Sequence, residues 1–213
     1  MLNKATPMFP VMVQLKGKKC VVIGGGEVAC RKTLALLDFG ATVAVVSPEV
    51  CDELLELGNR SLVEIILKEA DPADFQDSFL IIAATNSTEV NQLISANAKP
   101  HQLVNVASGH QAGNIHIPAY LKRGRLVISI STGGASPTLT RKIRNDLSEK
   151  YNDSYVEYTE YLYQTRLAIL QSCLSQPRKL ELLKGIASEE YKNQLNKRKA
   201  LKDWLAENGG SAN

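Results

Sequence analysis

The sequence has no apolar run that approaches the roughly 20 residues a helix needs to cross a bilayer. Residues 1–16 also have neither the apolar core nor the cleavage-site pattern of a signal peptide. Both absences argue against a membrane-bound or secreted protein. We therefore expect a cytoplasmic protein without a membrane partner.

Cysteine is absent from any arrangement typical of a zinc site or a disulfide framework. There is no C-x-x-C pair, and the four cysteines are far apart: Cys20, Cys30, Cys51 and Cys173. In a reducing compartment such residues are usually small core residues, so we expect no metal site. A Tyr-x-x-x-Lys pair is also absent, which argues against a short-chain dehydrogenase.

The charges are unevenly distributed along the chain. The 213 residues are 44% hydrophobic and 22% charged, as in an ordinary soluble globular protein. Residues 1–115 carry 9 basic and 12 acidic side chains, residues 116–150 carry 7 and 2, and residues 151–213 carry 9 and 8. The basic middle segment indicates either a local anionic partner or a solvated surface or subunit interface; a nucleic-acid partner is not expected.

The first half of the chain alternates between short apolar runs and helical patterns. Strands are predicted at 19–23, 41–46, 63–67, 79–84 and 103–107, with helices at 28–39, 52–57 and 88–98. Gly40 and Ser87 are placed to end and to begin helices. Strands that are apolar throughout are typical of a parallel sheet covered on both faces. The predicted fold class is α/β, with a Rossmann-like doubly wound parallel sheet.

The pattern changes after Pro118. A strand at 126–131 precedes a helix at 138–150 that Ser136 would cap, with Pro137 at its first position. From residue 151 the pattern is helical, with a break near Pro177. We predict a dinucleotide-binding domain at 1–115, a small α+β segment at 116–150, and a helical domain at 151–213.

A Gly-x-Gly-x-x-Ala motif lies between the first predicted strand and helix. Gly24 would allow the tight turn, Gly26 the close approach of a pyrophosphate, and Ala29 close packing of helix on strand. The diphosphate would bind the amides at the helix N-terminus. The alternative is a glycine-rich turn without a ligand.

The position of the usual acidic ribose ligand, at the end of the second strand, holds Ser47. Either Ser47 or Glu49 could bind a ribose hydroxyl. No arginine follows at once to hold a 2′-phosphate, which favours NAD over NADP.

A second anion site is predicted where Gly133 and Gly134 precede the capped helix, which carries Arg141 and two further cations. With Lys122, Arg123 and Arg125, these cations would suit a substrate with several carboxylates. The alternative is a flexible loop beside a solvated basic helix.

The chain resembles the precorrin-2 dehydrogenases, the dehydrogenases of sirohaem synthesis that occur alone or fused to a methyltransferase. The resemblance spans about residues 8–150 in the right order. It is carried by FPVMVQL (9–15), VVIGGGEVACRK (21–32), IAATN (82–86), LVNV (103–106) and STGGASP (131–137). It implies NAD-dependent oxidation of the tetrapyrrole precorrin-2 to sirohydrochlorin by a homodimer; some members also insert Fe²⁺. It further implies that 116–150 is a dimerisation and substrate-binding segment.

The resemblance also implies roles for individual residues. The implied cofactor-binding residues are Gly24, Gly26, Glu27, Val28 and Ala29 at the pyrophosphate, Ser47, Pro48 and Glu49 at the ribose, and Thr85, Asn86, Asn105 and Val106 toward the nicotinamide. The predicted substrate-binding residues, which come from the second anion site, are Gly133, Gly134, Ser136 and Arg141.

The sequence departs from the family after the Asn105-Val106 pair. Many members have a catalytic aspartate shortly after it, where this chain has Ser108. His110 could act as a base, since its reference pKa is about 6.5. The expected catalytic residues are therefore Asn105, Ser108 and His110, and we expect iron insertion to be weak or absent. The alternative function is a non-catalytic Rossmann module that senses a dinucleotide.

Overall fold

The computed structural model describes residues 8–107 and 113–208, which divide into two compact units. Unit 1 extends through Ile117 and unit 2 begins at Pro118. The predicted segments 116–150 and 151–213 fall almost entirely within unit 2, so the three-part division stays a prediction. Within the described ranges, no helix combines the length and the apolar character needed to span a membrane.

Unit 1 is built on a five-stranded parallel sheet, which confirms the predicted fold class. The strands are β1 (Lys19–Ile23), β2 (Thr42–Val46), β3 (Glu64–Ile66), β4 (Leu80–Ala83) and β5 (Leu103–Val106). Their spatial order is β3-β2-β1-β4-β5. The chain moves outward from β1 through β2 to β3, then crosses to the other side of β1 for β4 and β5. This reversal creates a crevice beyond the carboxyl ends of β1 and β4, where ligands of open α/β sheets bind.

Both faces of this sheet are buried, which explains why its strands are apolar throughout. Three helices contribute to the faces: α1 (Glu27–Asp38), α2 (Asp52–Asn59) and α3 (Thr88–Asn97). Val22 of β1 shares a cluster with Leu36 of α1 and Leu54 of α2. Ile23, which follows Val22, lies on the opposite face and shares a second cluster with Ile94 of α3. Helices thus cover both faces, as doubly wound topology requires.

The roles predicted for Gly40 and Ser87 at helix ends are confirmed by their hydrogen bonds. Gly40, just beyond α1, has a positive φ of +76° and donates its N–H to the Leu37 carbonyl at 2.9 Å. This left-handed conformation is the one that glycine adopts most readily after a helix. Ser87 caps α3, since its hydroxyl accepts a hydrogen bond from the Val90 N–H at 3.2 Å.

The outer edge of β5 is covered by the segment that follows the sheet. The Asn114 side chain accepts a hydrogen bond from the Val104 N–H and donates one to the Gln102 carbonyl, both at 2.8 Å. A Cβ on Gly113 would come within 2.5 Å of the Val104 carbonyl oxygen. The segment therefore lies directly on the strand and satisfies polar groups that an uncovered edge would expose.

Unit 2 begins with an antiparallel hairpin of β6 (Ala119–Arg123) and β7 (Leu126–Ile130), followed by α4 (Pro137–Lys150). The predicted cap of α4 is confirmed, since the Ser136 hydroxyl accepts a hydrogen bond from the Leu139 N–H at 3.1 Å, with Pro137 directly after it. Strand β6 was not predicted, because Lys122 and Arg123 interrupt its apolar pattern.

The C-terminal helices share a core that is centred on a buried arginine. They are α5 (Ser154–Gln171), α6 (Gln176–Gly185), α7 (Glu189–Asn193) and α8 (Leu195–Asn208). Arg198 is only 7% exposed and lies over the rings of Tyr158 and Tyr161. Its guanidinium donates to the carbonyls of Tyr191 and Lys192, and it forms an ion pair with Glu157. The arginine thus connects α5, α7 and α8.

Candidate functional site

The glycine turn after β1 lies at the crevice, and Gly24 brings three strand ends together. Gly24 has φ +121° and donates its N–H to the Val46 carbonyl at the end of β2, at 3.0 Å. A Cβ on Gly24 would lie 2.4 Å from the Ala84 carbonyl oxygen, just beyond β4. Both the dihedral angle and the close contact require glycine here.

Gly25 packs against the loop that follows β2. Its carbonyl accepts a hydrogen bond from the Cys51 N–H at 2.8 Å, and a Cβ on Gly25 would lie 1.8 Å from the Glu49 carbonyl oxygen. Gly25 has no predicted role, because the motif assigns roles only to its first and third glycines. The run of three glycines was the available signal.

Gly26 differs from its two neighbours because its surroundings are open. It is the N-cap of α1, has no side-chain cap, and a Cβ on it would meet nothing within 4 Å. Glu27 and Val28 are both exposed. No described residue accepts a hydrogen bond from their backbone N–H groups. Ala29 is fully buried in the core beneath them. These two N–H groups are therefore available to bind an anion that approaches over Gly26.

The loop after β2 forms one side of the glycine turn. Ser47 is 8% exposed and donates its N–H to the Ile66 carbonyl at 3.2 Å, so its backbone extends the pairing with β3. Pro48 and Glu49 are exposed. The predicted ribose residues therefore lie next to the predicted pyrophosphate turn.

The segment after β4 lies on the other side of the turn. A Cβ on Gly24 would come within 3.3 Å of the Thr85 nitrogen. The Thr85 side chain accepts a hydrogen bond from the Ser87 N–H at 3.1 Å, and Asn86 is exposed. The tertiary structure thus brings Thr85 beside the glycine turn, 61 positions later in the sequence.

The residues predicted on β5 have structural partners. The Asn105 amide donates to the Ile115 carbonyl at 3.2 Å and so holds the edge-covering segment. Val106 is 7% exposed and packs in the same core cluster as Ile23 and Ala83. Their predicted roles near the nicotinamide stay predictions. Ser108 and His110 lie outside the described residues.

In unit 2, both glycines of the loop before α4 adopt left-handed backbone conformations. Gly133 and Gly134 have φ values of +60° and +85°, and a Cβ on Gly133 would meet nothing within 4 Å. Arg141, Lys142 and Arg144 are exposed on α4. Together with Lys150, which is also exposed, they give α4 a concentration of positive charge.

Two of the other predicted cations have partners within unit 2. Arg123 forms an ion pair with Asp153 at 3.0 Å, and Arg125 forms one with Glu160 at 2.7 Å. The Arg125 guanidinium also lies 3.4 Å from the centroid of the Tyr163 ring. These ion pairs hold the hairpin against α5. The position of both arginines in the basic segment did not indicate this structural role.

Potential metal ligands do not cluster within residues 8–107 and 113–208, since no group of three His, Cys, Asp or Glu side chains there could hold an ion.

The crevice, the open amides of α1 and the close glycine contacts define a protein of the dinucleotide-binding α/β class.

Comparisons with known proteins agree with this class and identify the family. Residues 11–119 match a family model described as NAD(P)-binding, residues 123–150 match "Sirohaem biosynthesis protein central", and residues 155–201 match "SirC C-terminal domain". The chain is 41% identical over 192 residues to the precorrin-2 dehydrogenase of Priestia megaterium, covering 90% of this chain and 95% of that protein. The chain belongs to the precorrin-2 dehydrogenase family.

Further relatives support the same assignment. The precorrin-2 dehydrogenase of Bacillus subtilis (strain 168) is 34% identical over 159 residues, which is 75% of this chain and 98% of that protein. The solved structure of "SirC, precorrin-2 dehydrogenase" has a TM-score of 0.81 and 40% identity, covering 94% of this chain and all of the other. Because these relatives are dehydrogenases, the alternative of a non-catalytic sensor is not favoured.

Proposed function

We propose that this protein oxidises precorrin-2 to sirohydrochlorin with NAD⁺ as the acceptor, a step in sirohaem synthesis. The observation that carries the proposal is the 41% identity to a precorrin-2 dehydrogenase over nearly the whole chain. The open N-terminus of α1 at the crevice is consistent with it. When bound, NAD⁺ accepts a hydride from the macrocycle.

The glycine turn would hold the pyrophosphate of the cofactor. Gly26 provides room for the phosphates, while the N–H groups of Glu27 and Val28 donate hydrogen bonds to them. Gly24 and Ala29 keep the turn and the helix close to the sheet. The residues present therefore fit a dinucleotide, and the affinity comes mainly from backbone groups.

Ser47, Pro48 and Glu49 would flank the adenosine ribose. The Glu49 carboxylate can accept hydrogen bonds from ribose hydroxyls, whereas it would repel a 2′-phosphate. No arginine directly follows Ser47. These features support NAD over NADP.

Thr85, Asn86, Asn105 and Val106 would position the nicotinamide beyond the ends of β4 and β5. Hydride transfer depends chiefly on such orientation, together with a route for one proton to leave. Asn105 contributes by holding the backbone at Ile115, its hydrogen-bond partner. The proton would leave through Ser108 or His110, of which His110 is the base near neutral pH.

The tetrapyrrole would bind in unit 2, at α4 and at the loop that precedes it. Gly133 and Gly134 allow its carboxylates to approach the backbone, and Ser136 fixes the start of α4. Arg141 adds positive charge one turn further along the helix. The several carboxylates of precorrin-2 match this concentration of cations.

A direct assay tests the proposed reaction. Purified protein is mixed with precorrin-2 and either NAD⁺ or NADP⁺, and the reduced nicotinamide is followed by absorbance. We expect turnover with NAD⁺ and much slower turnover with NADP⁺. No turnover with either cofactor would refute the dehydrogenase proposal, while a preference for NADP⁺ would refute only the cofactor choice.

We further propose that iron insertion by this protein is weak or absent. Chelation requires deprotonation of pyrrole nitrogens and a ligand that delivers Fe²⁺, so it depends more on a carboxylate than hydride transfer does. Ser108 stands where many members have that carboxylate. Metallation of sirohydrochlorin well above the spontaneous rate would contradict this proposal, and His110→Ala and Ser108→Ala would then identify the group responsible.

The proposed assembly is a homodimer in the cytoplasm. Helix α4 has no buried residue in the single chain, and the β6–β7 hairpin has only two strands, a sheet that is marginally stable by itself. A second copy would cover these elements. Light scattering should give about twice the 23.3 kDa chain mass, and a monomer at micromolar concentration would contradict it. Cell fractionation tests the location.

A further inference from the structure

Two of the four cysteines meet beside the glycine turn of unit 1. Cys30 lies in the first turns of α1, and Cys51 is the N-cap of α2. Their N–H groups donate to consecutive carbonyls, Cys30 to Gly26 at 3.0 Å and Cys51 to Gly25 at 2.8 Å. The two residues therefore flank the same short piece of backbone, although 21 positions separate them in the sequence.

Both side chains pack in the same apolar cluster, and the two thiols lie close enough to interact electrostatically. Cys30 is 8% exposed, whereas Cys51 is half-buried and accessible from solvent. The pKa of Cys30 is raised, chiefly by burial and also by the neighbouring Cys51 thiol. Cys51 is thus the accessible partner and Cys30 the shielded one.

The two other cysteines lack such a partner among the described residues. Cys20 is fully buried in β1, and burial raises its pKa to about 11. Cys173 is exposed in unit 2, in the connection between α5 and α6. These two residues serve as internal controls.

We propose that Cys30 and Cys51 form a reversible disulfide under oxidation by a peroxide, and that this disulfide weakens dinucleotide binding. The Cys51 thiolate attacks the peroxide and becomes a sulfenic acid, releasing hydroxide that takes up a proton to give water. The Cys30 thiol then attacks that sulfur, forming the S–S bond and releasing a second water. Two electrons pass from the thiols to the peroxide, and a small dithiol reverses the step.

The effect on the cofactor follows from the packing of the turn, and this part rests on the proposed dehydrogenase function. A disulfide is shorter than a contact between two thiols, so its formation draws α1 and Cys51 together. The loop at Glu49 already lies against Gly25 and cannot move inward. The first turn of α1 must therefore shift, and with it the amides that hold the pyrophosphate.

The experiment uses the full-length protein, treated with hydrogen peroxide and then either left oxidised or reduced with dithiothreitol. Peptide mapping by mass spectrometry without reduction should identify a Cys30–Cys51 link. Titration calorimetry with NAD⁺ should show about a tenfold weaker affinity in the oxidised protein, with full recovery after reduction. Cys51→Ser should bind NAD⁺ normally and lose the response, whereas Cys173→Ser should keep it.

Two results would overturn the proposal: the absence of the Cys30–Cys51 link, or a link that leaves NAD⁺ affinity unchanged. Failure of the reduced protein to bind NAD⁺ at all would instead refute the proposed cofactor, because the mapping of the disulfide does not depend on NAD⁺.

Discussion

Three consecutive glycines follow β1, and each is required for a different reason. Gly24 combines a positive φ with a close backbone contact, Gly25 packs under the Glu49 carbonyl, and Gly26 faces open space at the N-terminus of α1. The packing of the turn requires glycine at Gly24 and Gly25, whereas at Gly26 only the ligand requires it. Substitutions at these positions should therefore separate folding from binding.

Gly26→Asp should abolish cofactor binding and leave the fold intact. Gly26 has φ −85° and ψ −172°, which other residues also adopt, and aspartate is a favoured N-cap residue. The free energy of unfolding should change by less than about 1 kcal/mol. The added carboxylate would repel the pyrophosphate, so the Kd for NAD⁺ should rise by about 100-fold or more. Calorimetry and urea unfolding measure the two effects.

Gly24→Ala is the matched variant, and it should destabilise the protein itself. The new methyl group would clash with the Ala84 carbonyl, and φ of +121° is strained for alanine. We expect a loss of about 2–3 kcal/mol in the free energy of unfolding. Equal stability of the two variants would contradict the distinct roles assigned to the glycines.

Among the structural elements, α4 carries exposed cations while the hairpin cations are already paired. Arg123 and Arg125 bind acidic residues of the C-terminal helical region, Asp153 and Glu160, whereas Arg141 and Lys142 are exposed. A substrate with several carboxylates would therefore depend on α4 more than on the hairpin.

Charge reversal on α4 should raise the KM for precorrin-2. We expect the double variant Arg141→Glu, Lys142→Glu to raise it about tenfold or more, which corresponds to ~1.4 kcal/mol. The Kd for NAD⁺ should stay unchanged, since the glycine turn belongs to unit 1. The double variant Lys184→Glu, Lys199→Glu, with exposed changes on α6 and α8, alters the net charge by the same amount and serves as the control. An equal effect of the control would exclude a specific role for α4.

The C-terminal helices depend on Arg198, whose hydrogen bonds go mainly to backbone carbonyls. Arg198→Ala leaves the carbonyls of Tyr191 and Lys192 unsatisfied and should cost about 3 kcal/mol in the stability of unit 2. Hydrogen exchange of α7 and α8 would measure the loss.

Glu157→Gln provides the comparison for this arginine. The Glu157 side chain is 73% exposed, so its ion pair with Arg198 is largely screened by solvent. The substitution should cost less than about 1 kcal/mol. A larger cost for Glu157→Gln than for Arg198→Ala would show that the ion pair, not the backbone contacts, holds these helices.

At the scale of the whole molecule, the net charge of +3 conceals a basic segment next to a more acidic region. Substrate binding through exposed charges should weaken as salt screens them. Raising NaCl from about 0.05 M to about 0.5 M should increase the KM for precorrin-2 several-fold. The rate at saturating precorrin-2 should change little; a KM independent of salt would argue against an electrostatic substrate site.

The sequence by itself determined the type and approximate position of most elements, because local periodicity and capping residues such as Gly40 and Ser136 specify helices and strands. It also indicated the glycine turn as a dinucleotide site. It did not indicate strand β6, because Lys122 and Arg123 break the apolar pattern and Arg123 forms its ion pair with Asp153 only in the folded chain.

The tertiary structure alone decided which distant residues meet. Strand order brings Thr85 beside Gly24, and helix packing brings Cys30 against Cys51 and Arg125 against Glu160. Such contacts depend on the path of the chain between elements, which leaves no local periodicity in the sequence. The difference is greatest for the cysteines. From the sequence, all four are expected to be small core side chains, whereas the fold places two of them together beside the glycine turn.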